Sequence, residues 1–277
     1  MTNHARLVFT VPKPPSKQST RDNPDETIAW INKRLRELVT AFEQNPNTDP
    51  DLDLSAYMVI YSTIHECTVT KDHNGELPGK KLYDGLADII RSHCKGLRTE
   101  ILQSCSEAAD KDLAIMERYV REWKRHCKLA KLIAHNYRYM DRHWVQHERS
   151  NNVPGVYPIE ELHYVIWREE VAIGSSRSGQ KSTIADDESE SILDIAVRLC
   201  TREGFNPEEE LGQQASDLLR EAFRSFEEIG IKIGTWHATA EDRMLRPEIV
   251  AQHETLRSGL KVTVRVPLVE TWSGRVR

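Results

Sequence analysis

Between Asp110 and Asn152 the chain contains neither glycine nor proline, so nothing in its composition interrupts a helix there. Tyr119, Trp123, Cys127, Ala130, Ala134, Tyr137, Met140 and Trp144 recur at steps of three or four, which draws one apolar stripe along an α-helix. At about 1.5 Å per residue an unbroken helix of this length reaches roughly 50 Å. A rod of that length suits a scaffold. The same spacing predicts a helix over 25–43, with Ile28, Ile31, Leu35, Leu38 and Phe42 on its buried face. A second helix covers 55–70, a third 81–105 and a fifth 159–171, separated by proline- and glycine-bearing loops.

Each of these helices is amphipathic, so none is stable alone and the expected fold class is all-α, helices stacked on helices. Residues 1–24 read as a disordered tail, because PKPPSKQSTRDNP is polar and proline-rich. Within it Leu7, Phe9 and Val11 alternate like a short strand or anchor. Residues 174–190 have the composition of a flexible linker. Two further helices, over 192–200 and 211–229, then open a partial second helical unit across 191–233. Residues 234–277 fit neither pattern. Leu260, Val262, Val264, Val266 and Leu268 alternate as in a half-buried strand. A lone strand needs a partner, which 7–11 or another chain would have to supply.

With 277 residues the chain can form one large domain or two modest ones. Its apolar share of 39% is enough for a real core. A net charge of −5 argues against a surface made for nucleic acid throughout. No apolar run approaches the roughly 18 residues of a membrane span, and the N-terminus lacks a signal-peptide pattern. Cys67, Cys94, Cys105, Cys127 and Cys200 form no CxxC pair, so reduced thiols and a cytoplasmic or nuclear location are expected.

No phosphate-binding, dinucleotide, HExxH or GxSxG motif occurs, so no catalytic residue and no cofactor is expected. His143 and His147 are spaced to share a metal, but no third ligand stands at suitable spacing, and no metal site is assigned. Arg121, Lys124, Arg125, Lys128, Lys131, Arg138 and Arg142 leave one flank of the long helix basic. That flank offers an alternative function, nucleic-acid binding, beside its reading as a solvated face. In the second helix Tyr57, Met58, Ile60, Tyr61 and Ile64 exceed what one narrow seam requires. Periodicity alone allows them equally as core or as interface anchors.

Three stretches then carry a family likeness. SAYMVIYSTIHEC, KLYDGLADIIRSHCKGL and, above all, EW…YMDRHWVQHE…VYPIEELHYVIWREEV resemble the amino-terminal region of the cullins, scaffolds of cullin–RING ubiquitin ligases. The resemblance covers about 25–171 well and extends weakly through 192–230. It implies a five-helix cullin repeat over 25–173, a partial second repeat, and a non-catalytic scaffold that binds a Skp1-like or BTB-type adaptor. Carried over by position, the implied adaptor face comprises Tyr57, Met58, Ile60, Tyr61 and Ile64, with Ile115, Met116 and Tyr119 near the start of the long helix. Trp123, Tyr139, Arg142, Trp144 and Trp167 match positions that hold the repeat together. His65 and Glu66 stand where the family usually has Tyr and Asn. The chain ends before a third repeat and before the half to which cullins recruit the RING subunit, so a partial scaffold without that subunit is expected.

Overall fold

The structure is a computed structural model that describes residues 11–45, 52–72, 75–103, 108–174, 191–201, 210–237, 252–256 and 259–268. Helix α1 is Lys17–Asp22 and α2 is Pro24–Gln44. Next come α3, Leu54–Val69, and α4, Gly79–Gln103. The long fourth segment begins as α5, Lys111–Asn136, and continues as α6, Arg138–Met140, and α7, Gln146–Ser150. Helix α8, Ile159–Trp167, runs into a π-helical turn, Arg168–Ile173. Helices α9, Ile192–Thr201, and α10, Glu210–Glu228, close the helical part.

Among the described residues the all-α expectation thus holds from Lys17 to Glu228, with two departures from the sequence reading. The segment 1–24 is not a tail throughout. Ser16 Oγ accepts the Ser19 N–H (3.1 Å) and starts α1, and Thr20 is buried against the Thr27 hydroxyl at 3.0 Å. A local cap and one buried hydroxyl pair outweigh the polar composition there. The long helix is also not one rod. It turns at Tyr137 and passes through a π-helical stretch, Asp141–Val145. Just before the break, the Asn136 side-chain amide donates to the Leu132 carbonyl (2.9 Å), a local competitor for the helical ladder.

The chain forms two compact units, one from Met1–His93 with Arg125–His163, the other from Cys94–Lys124 with Tyr164–Arg277. In the first, Ile31, Leu35 and Leu38 of α2, Ile60 and Ile64 of α3, Leu82 and Leu86 of α4, and Ile133 of α5 are fully buried. Asp53 caps α3 by accepting the Ala56 N–H (2.9 Å), and Asp141 Oδ1 accepts the Ile159 N–H at 2.9 Å at the start of α8. Gly79 lets the Trp144 indole lie directly against the first turn of α4, where a Cβ would collide with it. In the second unit Trp167 is fully buried, and its indole N–H donates to Tyr119 Oη at 3.4 Å. Tyr119 Oη also bonds Ser225 Oγ (2.9 Å), and its ring lies 5.3 Å from that of Phe226.

Past α10, Gly230 takes the left-handed conformation (φ 83°) that ends a helix. Strand β1, Ile231–His237, follows, then β2, Gln252–Leu256, and β3, Gly259–Leu268, in the order β1-β3-β2. The alternating segment is therefore a strand, but its partners differ from those its sequence suggested. β3 runs parallel to β1, with Ile231 opposite Val262, and antiparallel to β2, with Gln252 opposite Thr263. Leu7 and Phe9, and the linker beyond Gly174 up to residue 190, lie outside the described residues.

Three helices of the first unit bring histidines together. His126 lies 5.9 Å from His93 and 5.1 Å from His163 between ring centroids, and all three are buried. His93 Nδ1 meets Glu43 Oε1 at 2.6 Å. Burial, then the neighbouring rings, holds His126 well below its usual range, and burial brings His163 down to about 3. Both values fall below the unfolded value of about 6.5. The stability these neutral rings carry is therefore complete above that pH and is lost as pH falls below it. The loss is about 1.4 kcal/mol per pH unit for each ring. Asp141 acts in the opposite sense, because burial raises its carboxyl to about 6 and the folded chain takes that proton first. Urea unfolding between about pH 7 and pH 5 should show stability falling for the wild type and falling less steeply, by about one proton, for His163→Gln. Equal slopes would mean that His163 is charged in the folded chain.

Candidate functional site

Helix α3 differs from its neighbours in being apolar on two faces. Ala56, Ile60, Thr63, Ile64, Cys67 and Thr68 are buried and form one stripe. Leu54, Met58, Tyr61, His65 and Val69 form a second stripe at steps of three and four on the opposite side. Leu54, Met58 and Val69 are 75%, 48% and 41% exposed, and Tyr61 and His65 are half-buried. An amphipathic helix normally turns polar residues outward. This one turns Leu54, Met58 and Val69 outward beside its exposed Ser55 and Ser62.

The edges of the outward stripe are built from aromatic contacts. Tyr57 and Tyr61 stack with centroids 5.8 Å apart, and Tyr57 Oη donates to the His135 carbonyl at 3.5 Å. His65 meets the Tyr139 ring edge-on at 4.2 Å, and Tyr139 lies 4.2 Å from His143. The half-buried phenols and imidazoles keep one side packed and one side open, the arrangement common where an apolar body meets a partner. Near the end of α3, Lys17 of α1 pairs with Glu66 at 3.3 Å. On the core side, burial pushes the Cys67 thiol up to about 12, which leaves it unreactive.

The residues implied by the family likeness divide sharply. Tyr57, Met58 and Tyr61 reach the surface. Ile60 and Ile64 do not, because they lie on the inward stripe and are fully buried. Ile115, Met116 and Tyr119 are likewise core residues of the second unit, not exposed anchors. Tyr119 is held there by Trp167, Phe226 and Ser225. A side chain with no accessible surface cannot add contact area to a partner without repacking the core. Leu54, His65 and Val69 belong to the open face in their place. The signal was present in the sequence, since they share one phase with Met58.

Among the described residues no group of His, Cys, Asp and Glu is arranged to hold a metal ion. His143 faces Tyr139, whereas His147 takes Glu148 at 3.2 Å, so the spaced pair points to different partners. Among the described residues no helix is long and apolar enough to cross a membrane. Of the basic flank, Arg121 lies 3.7 Å from Glu122, Lys124 pairs with Glu221 at 2.6 Å, and Arg125 covers the Phe42 ring.

Comparison with known proteins agrees with this architecture. Over 131 residues the chain is 26% identical to cell division control protein 53 of Saccharomyces cerevisiae, covering 43% of this chain and 15% of that protein. It is 27% identical over 133 residues to cullin-1 of Schizosaccharomyces pombe, covering 44% of this chain and 17% of that protein. The match therefore spans less than a fifth of either relative. The family described as the cullin alpha solenoid domain matches residues 35–246, most of the chain. This chain belongs to the cullin family.

Proposed function

We propose that the chain is a non-catalytic scaffold of cullin–RING ubiquitin ligase assembly that docks a Skp1-like or BTB-type adaptor on the outward face of α3. The observation that carries this reading is the second apolar stripe, Leu54, Met58, Tyr61 and Val69, left uncovered opposite a complete core. A contiguous apolar and aromatic face of this kind supports a protein partner. Its contact set is Leu54, Tyr57, Met58, Tyr61, His65 and Val69. In this reading 25–173 form the first cullin repeat, 191–233 open the second, and the work is done in the cytoplasm or nucleus.

Purified Skp1-type and BTB-type adaptors titrated into the full chain test the proposal. A Met58→Ala/Tyr61→Ala variant should lose about thirty-fold or more in affinity, because a docking anchor is worth about 2 kcal/mol or more. The same variant should keep its unfolding free energy to within about 1 kcal/mol, since Met58 is half exposed and Tyr61 half-buried. Ile60→Ala should behave in the reverse way, costing about 2–5 kcal/mol of stability through the cavity it leaves. If neither adaptor binds the wild type at micromolar concentration, or the double variant binds as well as the wild type, this face is not an adaptor site.

A further inference from the structure

We propose that the buried row His93, His126 and His163 is an acid-operated latch of the first unit, which opens locally around α8 in mildly acidic solution while the rest of that unit stays folded. The row spans three helices, with His93 on α4, His126 on α5 and His163 on α8. The His126 ring lies beside both others, with 16° between its plane and that of His93 and 56° between its plane and that of His163. All three are buried, and neither ring nitrogen of His163 has a hydrogen-bond partner among the described residues. The chain leaves the first unit after His93, re-enters it at Arg125 and leaves it again after His163. Every passage of the chain out of this unit thus lies at or beside a histidine of the row.

The ionisable groups around the row decide what a proton meets there. From α2, Glu43 holds His93 Nδ1 at 2.6 Å, so a proton on that ring has a carboxylate beside it. On α5, Arg125 donates to the Phe42 carbonyl at 2.7 Å. Glu122, one turn before His126, lies 3.2 Å from Arg118 and 3.7 Å from Arg121. On α8, Glu160 and Glu161 bear on Asp141. A proton on His126 or His163 instead meets a second imidazole in a dry surrounding, and both conditions oppose the charge. Opening lets water reach the rings and removes that opposition, so each proton taken up favours the open form.

The opening is local because α8 is the weakest of the three helices. It has nine residues and runs straight into the π-helical turn Arg168–Ile173, whereas α4 and α5 have 25 and 26. Asp141, which accepts the Ile159 N–H at the start of α8, responds in the opposite sense. Burial raises its carboxyl to about 6, so it takes its proton with the helix in place. Acid therefore acts on α8 through His163 and not through its cap.

Hydrogen exchange of the full chain at about pH 7 and about pH 5, corrected for the intrinsic effect of pH and read with and without low urea, tests the latch. Between these values the amides around His126 and His163 should lose about twenty-fold in protection for each proton taken up on opening. At the lower pH their exchange should be nearly insensitive to urea, as a small opening is. The amides of Leu35 and Leu38 in α2 should stay better protected and respond to urea. In His163→Gln the loss around the row should be smaller by about one such factor. The latch is overturned if the row amides keep their protection at the lower pH, or if they exchange together with Leu35 and Leu38 and with the same urea dependence, since only global unfolding then occurs. An equal loss in wild type and His163→Gln also overturns it. The wild-type outcomes decide the matter even where the variant does not fold.

Discussion

Helix α5 contributes to both compact units, and the burial of its one apolar stripe is the interaction on which the rest depends. Of its early residues, Tyr119 lies against Trp167 and Phe226 and Trp123 against Trp167, with Met116 buried beside them in sequence. Its later residues, Ala130, Ile133 and Tyr137, are buried in the unit that holds α2 and α3. No helix of this length with a wide apolar stripe is stable in water by itself. The neighbours must therefore each bring a matching stripe, and α2, α4 and α10 do so with ordinary two-sided patterns. The break at Tyr137 and the π-helical stretch after it let the segment stay helical while Asp141 turns to start α8.

Helix α3 is the exception to that pattern, and its exception gives the molecule a surface. Its inward face meets the same requirement as the other helices, filling the core with Ile60, Ile64 and Cys67. Its outward face offers Leu54, Met58 and Val69 to water, which has a cost in the isolated chain. The tyrosines and imidazoles at the edge hold that face in shape without covering it. Half-packed aromatic rings have less entropy to lose on any docking than free ones.

Charge is distributed by the same logic. Buried ionisable groups in the first unit are kept neutral, as with His126 and His163, or held by a partner, as His93 is by Glu43. Several exposed cations sit near carboxylates, where screened pairs contribute little to stability. Where they do not, the effect reaches outward as a local field and not inward as stability. The structure thus separates what holds the fold from what a partner would feel.

The sequence by itself determined the long helices, since 3.6-residue periodicity and the absence of glycine and proline are local properties of Asp25–Phe42 or Tyr119–Asn136 alike, but it showed neither the short α1 nor the break at Tyr137. It also carried the family likeness, through long ordered motifs such as YMDRHWV. It determined which residues of α3 are apolar, yet not which of its two stripes faces the core. That choice depends on what the helices packed against it, α1, α2 and α6, bring to the other side, so Ile60 and Ile64 went inward while Leu54 and Val69 stayed out. Tyr119 was ambiguous for the same reason until Trp167 and Ser225 enclosed it. Strand β3 was legible from alternation, but its parallel neighbour Ile231–His237 was not, because strand pairing is a contact between distant segments that no local pattern encodes. Periodicity records that a face is apolar; only the packed neighbours decide whether it is covered.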